Sequence, residues 1–406
     1  MRTIWRLFFL LCIGFVSNAI YAGDTAFYQP QISATVLTCS PGPDLYSLFG
    51  HTAIRLRFEQ KGHMRDLVYN YGTFEFGDDF YMKFTKGKLD YMLSRSDFQD
   101  FMQEYQLTGR GVVEQVLNLT PEEAAQLLQL LETNLLPENR YYRYDFFYDN
   151  CATRVRDMIA QVCAQSGDSI NFTHVPAEHY SFRRGIQNYL DYMPWSDLGI
   201  DIALGKPCDR LMGKGQDMFL PDSLYNEFRF ALRGNDELVS TETTLLPKLF
   251  SPEPAGFWKP VNLFFLFLIL QVIWGLWRLG ARLAASKSPL ILPDRLLFFI
   301  SGLVGVLVIF LWFFTDHLAT RPNLNVLWAH PLHVVFAFAG RIRSWHRWYA
   351  TVHIVILFVL FLGFFLFTQR LHWAVIPLAL GQLFVCMKLL KPNWLMGEKT
   401  NQIVFG

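Results

Sequence analysis

A cysteine and a histidine, 100 residues apart, lie in contexts that favour catalysis. His51 belongs to the block Phe49–Arg55 (FGHTAIR), and Cys151 belongs to the block Tyr144–Arg154 (YDFFYDNCATR). A thiol becomes a strong nucleophile once a base removes its proton, and an imidazole titrates near neutral pH. The pair therefore predicts a thiol enzyme, provided that the fold brings the two side chains together.

The residues around Cys151 have the pattern of a helix start. Asp149 or Asn150 is a good N-cap, and an apolar stripe with helical spacing follows. Its members are Val155, Ile159 and Val162. Cys151 then lies in the first turn, where free N–H groups and the helix dipole favour an anion, so we expect a lowered thiol pKa. Cys163, at the far end of the same helix, receives no such help.

The residues after His51 predict a hairpin. Residues 51–57 alternate polar and apolar side chains, residues 60–62 (QKG) form a turn, and residues 66–71 read as the return strand. A strand at 29–38, another at 110–119 and a capped helix that begins at Thr120 complete an α+β pattern.

A catalytic histidine needs a third group that orients its ring. With a side-chain period of two, His51 shares a face with some of Asp66, Val68 and Asn70, and a shift of register changes which. We select Asp66, with His63 and Asn70 as alternatives.

Six further residues are candidates for substrate contact because they lie on the predicted return strand, within the Cys151 block or in an outer loop near the membrane. They are Tyr69, Asn70, Tyr71, Asn150, Arg154 and His317. The alternative interpretations are a cross-strand aromatic ladder for the tyrosines and a solvated helix face for Arg154.

The chain has 406 residues and a formal net charge of +1, which gives nucleic-acid binding no electrostatic support. The first residues of the chain include basic side chains, an apolar run follows at 7–16, and small residues continue up to Ala22. This pattern predicts a signal peptide at 1–22, and the alternative is an uncleaved anchor helix. Residues 23–258 are then an exported domain. Cys163 and Cys208 are a candidate disulfide, and no cysteine or histidine cluster indicates zinc or another cofactor.

A membrane domain is predicted over 259–406, because the polarity falls sharply from Pro260 onward. Five apolar segments are expected at 261–279, 296–314, 325–340, 349–368 and 372–390. All but the third, which contains Pro331, reach the roughly 20 residues that a spanning helix needs.

The charges that flank these segments predict the orientation. Ten basic residues lie on one side: Arg278, Arg282, Lys287, Arg295, Arg341, Arg343, Arg347, Lys388, Lys391 and Lys399. The alternate loops contain only Arg321 and Arg370. The excess predicts an inner-membrane protein with a periplasmic catalytic domain and a cytoplasmic C-terminus.

Four blocks in order resemble the periplasmic domain of Lnb-type lipoprotein N-acyltransferases. They are residues 37–42 (LTCSPG), 49–55 (FGHTAIR), 66–76 (DLVYNYGTFEF) and 144–154 (YDFFYDNCATR). The resemblance covers residues 28–250, and the multi-pass tail agrees with it. It implies a circularly permuted papain-like fold, related to NlpC/P60 peptidases and lecithin:retinol acyltransferase, in which His precedes Cys.

The resemblance also implies roles and substrates. Cys151 is the nucleophile and His51 the base, while the third member stays open between Asp66 and His63, since the lecithin:retinol enzymes have a second histidine at a similar spacing. The implied reaction moves an acyl chain from a membrane phospholipid, through a Cys151 thioester, to the α-amine of a diacylglyceryl-cysteine lipoprotein. The alternatives are a periplasmic cysteine peptidase, a phospholipase and a non-catalytic membrane scaffold.

Overall fold

The computed structural model describes residues 32–75, 77–173, 180–251, 253, 255–280, 290–338 and 344–390. The predicted signal peptide lies outside them, as do six of the basic residues that predict the orientation: Arg282, Lys287, Arg341, Arg343, Lys391 and Lys399.

The strands are β1 (Ser33–Cys39), β2 (His51–Gln60), β3 (His63–Thr73), β4 (Asp90–Asp97), β5 (Val112–Leu117), β6 (Tyr141–Arg143), β7 (Ile170–Asn171), β8 (Leu232–Arg233), β9 (Asp236–Glu237) and β10 (Val239–Leu246). The helices before the membrane part are α1 (Phe80–Thr85), α2 (Phe98–Leu107), α3 (Pro121–Leu135), α4 (Cys151–Gln165), α5 (Phe182–Gln187), α6 (Pro194–Ala203) and α7 (Pro221–Phe230). The later helices are α8 (Pro260–Gly280), α9 (Leu292–Phe313), α10 (Leu332–Ala337), α11 (Ser344–Gly363) and α12 (Val375–Leu390).

Seven strands form an antiparallel sheet in the order β10-β5-β1-β2-β3-β4-β6. The predicted hairpin is its centre: β2 and β3 are joined by Lys61 and Gly62, whose φ angles of 52° and 74° suit a tight two-residue turn. The register places Cys39 opposite His51. The α+β class with an antiparallel sheet is therefore confirmed.

Helices cover both faces of the sheet. Ile54 and Leu56 face α3 and α4, while Ala53 and Val68 face α2 on the other side. Each fully buried aliphatic side chain contributes about 1.5–3 kcal/mol, so the two layers hold the middle of β2 firmly. His51, the first residue of β2, lies at the end of the sheet, where it is only partly buried.

The cap of α3 agrees with the sequence pattern. Thr120 Oγ1 accepts from the Glu123 amide at 3.2 Å, and Glu123 Oε2 accepts from the Thr120 amide at 2.7 Å. The reciprocal pair satisfies two backbone donors that the first turn leaves free. It fixes where α3 begins and therefore how it lies on the sheet.

Three helices in the described residues are long and apolar enough to cross a membrane: Pro260–Trp277, Leu292–Phe313 and Ser344–Gly363. The predicted third segment is broken at Pro331, between a 3₁₀ turn at Leu324–Leu327 and α10, because proline provides no amide for a continuous helix. The fifth segment begins only at Val375 and has 16 residues. Four full-length spans were predicted, and within the predicted range 372–390 the described helix lacks the first three residues.

The loop after α9 packs against the domain that precedes the membrane part. Asn323 Nδ2 donates to the Ile202 carbonyl at 2.8 Å, and the Gly205 amide donates to the Ala319 carbonyl at 2.8 Å. These contacts place the end of α6 directly on the loop. The sheet and the apolar helices are thus connected by hydrogen bonds as well as by the chain.

The candidate disulfide between Cys163 and Cys208 is wrong. Both thiols are free and buried, in separate apolar clusters. Cys163 packs on the sheet as part of α4, whereas Cys208 Sγ contacts the Ala319 carbonyl at 3.3 Å. Spacing along the chain does not determine which cysteines pair.

A buried cation connects three strands of the sheet. Arg55 makes two bonds to Asp66, at 2.7 and 2.6 Å, and one to Glu114 at 2.8 Å.

We predict that Arg55→Ala lowers the free energy of unfolding by about 3–5 kcal/mol, because it leaves Glu114 buried without its cation. The measurement is the thermal midpoint of the purified full-length protein by circular dichroism. The matched control is Arg57→Ala, an exposed position two residues along the same strand; equal midpoints for both variants would contradict the prediction.

Candidate active site

Cys151 is the first residue of α4, as the sequence predicts. Asn150 is the N-cap, and its Oδ1 accepts from the amides of Ala152 and Thr153, both at 2.9 Å. Desolvation has the largest effect on the pKa of this thiol and raises it, while the nearby backbone N–H groups of Thr52, Ala152 and Cys151 act to lower it. A negative charge that develops at this point therefore meets several amide donors.

His51 is held by one side chain. Its Nε2 lies 3.2 Å from Asn70 Oδ1. An amide oxygen only accepts, so Nε2 carries the proton and Nδ1 has the lone pair of a base. Among the described residues no hydrogen bond to Nδ1 is present, which leaves that atom available for a substrate proton or a thiol.

The cysteine and the histidine lie at the same end of the sheet. Thr52, whose amide approaches the Cys151 sulfur, directly follows His51. A Cβ placed on Gly72 would lie 3.6 Å from Cys151 Cβ, and Gly72 lines a cleft of about 400 Å³ together with His51 and Asn70. No hydrogen bond joins the sulfur and the imidazole within the described chain; such bonds often form only when substrate binds.

Burial keeps both groups neutral at rest. It lowers the pKa of His51 to about 4, although the bond to Asn70 acts in the opposite direction. It also raises the pKa of the Cys151 thiol, because desolvation outweighs the amide donors around the sulfur. The lowered thiol pKa that the helix start suggested is therefore wrong for the resting protein.

Asp66 and His63 do not reach His51. Both Asp66 oxygens bind Arg55, and His63 lies at the hairpin turn, opposite Gln60. The length of β2 separates His63 from His51 by about 30 Å at 3.3 Å per residue. Asn70, an alternative from the sequence, is the side chain that contacts the ring.

Three other sequence candidates have hydrogen-bond partners within the protein. Tyr69 is buried, and its hydroxyl donates to Glu132 at 2.5 Å. Tyr71 is also buried, and its hydroxyl accepts from Asn134 at 2.8 Å. The Asn150 side-chain oxygen caps α4 as described above, and its Nδ2 donates to the carbonyls of Phe146 and Phe219. Each of these side chains thus has a partner within the protein, and its contact with a substrate stays a prediction.

Arg154 and His317 have defined partners. Arg154 binds Asp149 through two bonds, at 2.5 and 2.8 Å, and its guanidinium lies 3.5 Å from the Tyr142 ring centroid. It supports the loop before Cys151. His317 Nε2 lies 3.2 Å from the Phe84 carbonyl, so it connects the loop after α9 to α1.

The sequence analysis did not single out Thr52 or Gly72 for the site, although both lie in the blocks that carry the resemblance. Thr52 contributes a backbone amide, which any residue type provides, so its identity carries no signal. Gly72 has a φ of 88° beside a register shift between Asn70 and Thr73, and its missing side chain leaves room next to Cys151. The Gly between Tyr71 and Thr73 was the one available signal.

Two family models match the chain in succession. Residues 22–182 match the Lnb N-terminal periplasmic domain, and residues 252–393 match the Lnb transmembrane domain. The chain belongs to the Lnb family. No curated protein and no solved structure matches it.

Membership of the Lnb family makes this a membrane protein of lipoprotein maturation, with a periplasmic domain and a transmembrane domain in the inner membrane. The resemblance that the four sequence blocks carry is thereby confirmed. The relation to NlpC/P60 peptidases stays a prediction.

The neutral resting pair predicts how the thiol responds to pH. We expect the alkylation rate of Cys151 by iodoacetamide to keep rising above pH 9, because its thiolate forms only above the usual pKa range of a free thiol near 8.5. Peptide mass spectrometry of the intact protein after timed alkylation measures this rate at Cys151 alone. Cys163→Ser is the control and should not change it. A rate that levels off below pH 7 would contradict a raised pKa.

Proposed function

We propose that this Lnb protein transfers an acyl chain from a membrane phospholipid to the α-amine of a diacylglyceryl-cysteine lipoprotein. The observation that carries the proposal is the position of the Cys151 sulfur among backbone amides at the start of α4, beside His51 with its Nδ1 free among the described residues. Cys151 is the nucleophile, His51 the base and Asn70 the group that orients it.

In the first step, His51 Nδ1 takes the thiol proton while Cys151 Sγ attacks an ester carbonyl of the phospholipid. The carbonyl oxygen becomes an oxyanion, which the amides of Thr52 and Cys151 stabilise. The C–O bond then breaks, and the lysophospholipid oxygen leaves with the proton that His51 held. A thioester on Cys151 remains.

In the second step, the α-amine of the lipoprotein attacks the thioester carbonyl and gives a proton to His51. The C–S bond breaks, an amide forms, and the sulfur recovers the proton. A thioester reacts readily with amines, so one intermediate divides a difficult transfer into two easier steps. Because the resting pair is neutral, His51 must act during each attack rather than hold a permanent thiolate.

The membrane helices hold the catalytic domain next to the bilayer, in which both substrates dissolve. Burial of acyl chains at about 0.8 kcal/mol per methylene favours both the donor and the acceptor in the bilayer. Contacts such as Asn323 to Ile202 keep the catalytic domain next to the apolar helices, which raises the local concentration of both substrates. The basic loops support a periplasmic site and a cytoplasmic C-terminus.

The order of His before Cys, on an antiparallel sheet with a helix that begins at the cysteine, supports a permuted papain-like domain over residues 23–258. The remainder, 259–406, is then the membrane domain. A phospholipase would use the same thioester with water as acceptor, so the acceptor test below separates the two activities.

The nucleophile has a direct test. Incubation of the purified protein with a clickable acyl phospholipid should label Cys151 through a hydroxylamine-sensitive bond, and Cys151→Ala should abolish the label because it removes the proposed nucleophile. Gel fluorescence and peptide mass spectrometry measure the label. Cys163→Ala is the matched control and should retain it. Addition of a diacylated lipopeptide should convert the label to a triacylated product, whereas release of free fatty acid alone would indicate a phospholipase.

The orienting residue has a test of its own. Asn70→Ala should lower the rate of acyl transfer by about 10- to 100-fold, since the ring loses the bond that fixes its tautomer. Asp66→Asn should leave the rate within a factor of about two, because Asp66 contacts Arg55 and not His51. The initial rate of thioester formation measures both variants. The reverse ranking would restore Asp66 to the site.

A further inference from the structure

A cavity of about 640 Å³ lies beside the candidate site and outside the cleft that contains His51. Its walls include two carboxylates, Asp191 and Asp222, and two ammonium groups, Lys248 and Lys259. Tyr189 also lines it, and its hydroxyl donates to Asp222 Oδ2 at 3.0 Å. The cavity therefore presents both signs of charge together with a hydrogen-bond donor.

The cavity shares a wall with the catalytic segment. The Tyr189 ring lies 5.7 Å from Phe49, and a Cβ on Gly50 would lie 3.6 Å from the Pro221 side chain. Asp222 directly follows Pro221, and His51 directly follows Gly50. A molecule bound in the cavity thus needs to extend only past Phe49 and Gly50 to reach His51.

The cavity also lies at the expected membrane surface. Lys259 immediately precedes α8, which is one of the three long apolar helices. Its neighbours Phe257 and Trp258 are exposed, and Trp195 Nε1 donates to the Trp258 carbonyl at 3.0 Å. Exposed aromatic residues at a helix end are typical of the level of the lipid headgroups.

The charged groups of the cavity are available for a ligand. Within the described residues no ion pair includes Lys248, Lys259 or Asp191. Burial raises the pKa of Asp222, while the Tyr189 hydroxyl and the charge of Lys248 act in the opposite direction. A cationic group from a ligand would stabilise this desolvated carboxylate.

We propose that the cavity binds the headgroup of the acyl donor, and that it selects a glycerophospholipid whose headgroup carries both a phosphate and a primary ammonium. Lys248 and Lys259 bind the phosphate, and Asp222 with Asp191 binds the ammonium. The ester carbonyls of such a lipid lie a few bonds from its phosphate, and the wall at Phe49 and Gly50 leads from the cavity to His51. The inference rests on the proposed acyl transfer, because it identifies the donor of that reaction.

The α-ammonium of the lipoprotein is the competing occupant for Asp222. A diacylated lipoprotein terminus brings a cation but no phosphate, so it would leave the two lysines without a partner. A zwitterionic phospholipid satisfies all four charges. The phospholipid is therefore the occupant that the charges favour.

The first experiment measures binding without chemistry. The full chain carrying Cys151→Ala is titrated in amphipol with short-chain phosphatidylethanolamine or phosphatidylglycerol, and calorimetry gives both dissociation constants. We expect phosphatidylethanolamine to bind at least about 10-fold more tightly. Asp222→Asn, added to this background, should remove the preference. Lys259→Gln, at an exposed position, should weaken both lipids about equally and remains informative if the Asp222 variant does not fold.

Matched controls are Asp236→Asn and Lys214→Gln, which change exposed charges outside the cavity and should not change either constant. Equal binding of the two lipids, or a preference that persists in Asp222→Asn, overturns the proposal. So does a result in which Asp222→Asn abolishes binding of a diacylated lipopeptide and leaves phospholipid binding intact.

The second experiment separates this inference from the proposed function. The wild-type protein receives each phospholipid, and thioester formation at Cys151 is measured. Selective binding with no thioester from either lipid would refute the acyl transfer and retain the headgroup site. Thioester formation at equal rates from both lipids, unaffected by Asp222→Asn, would retain the acyl transfer and refute the headgroup site.

Discussion

The amide side chain of Asn150 is the constraint on which the candidate site depends. Its Oδ1 caps α4, and its Nδ2 donates to the carbonyls of Phe146 at 2.8 Å and Phe219 at 2.7 Å. One buried group thus joins the start of the cysteine helix, the loop before it and the turn that leads to Pro221. Because an unpaired buried donor or acceptor costs about 1–3 kcal/mol, all three segments are held in one arrangement. Pro221 in turn packs near Gly50, and so the same network reaches His51.

Burial decides the chemical state of that site. The amides at the helix start favour a thiolate, but the loss of water around Cys151 and His51 favours the neutral forms more strongly. In the proposed reaction, charge then develops only when a substrate carbonyl is present to receive it. Such a site is suited to a thioester in a lipid environment, since a neutral thiol is less open to oxidation and alkylation than a permanent thiolate.

Local sequence patterns predicted the helices, strands and turns better than they predicted which side chains contact each other. The caps at Thr120 and Asn150 and the turn at Lys61-Gly62 depend on neighbouring residues, so the sequence identified them correctly. Asp66 was on the correct face of β3, but the buried Arg55 on the paired strand takes both of its oxygens. The pKa of Cys151 depends on packing by distant segments, which no local pattern reports. The cavity beside Phe49 likewise joins residues more than 200 positions apart, from Pro41 to Lys259.

The central claim is that Cys151 and His51 form one acyl-transfer site at the periplasmic face of the membrane. Mass spectrometry of lipoprotein amino termini tests it most directly, in cells whose chromosomal copy encodes Cys151→Ser. The account predicts that mature lipoproteins in these cells carry two acyl chains and a free α-amine, while cells with the wild-type gene have the third chain. Triacylated amino termini at the wild-type proportion in the mutant cells would contradict it.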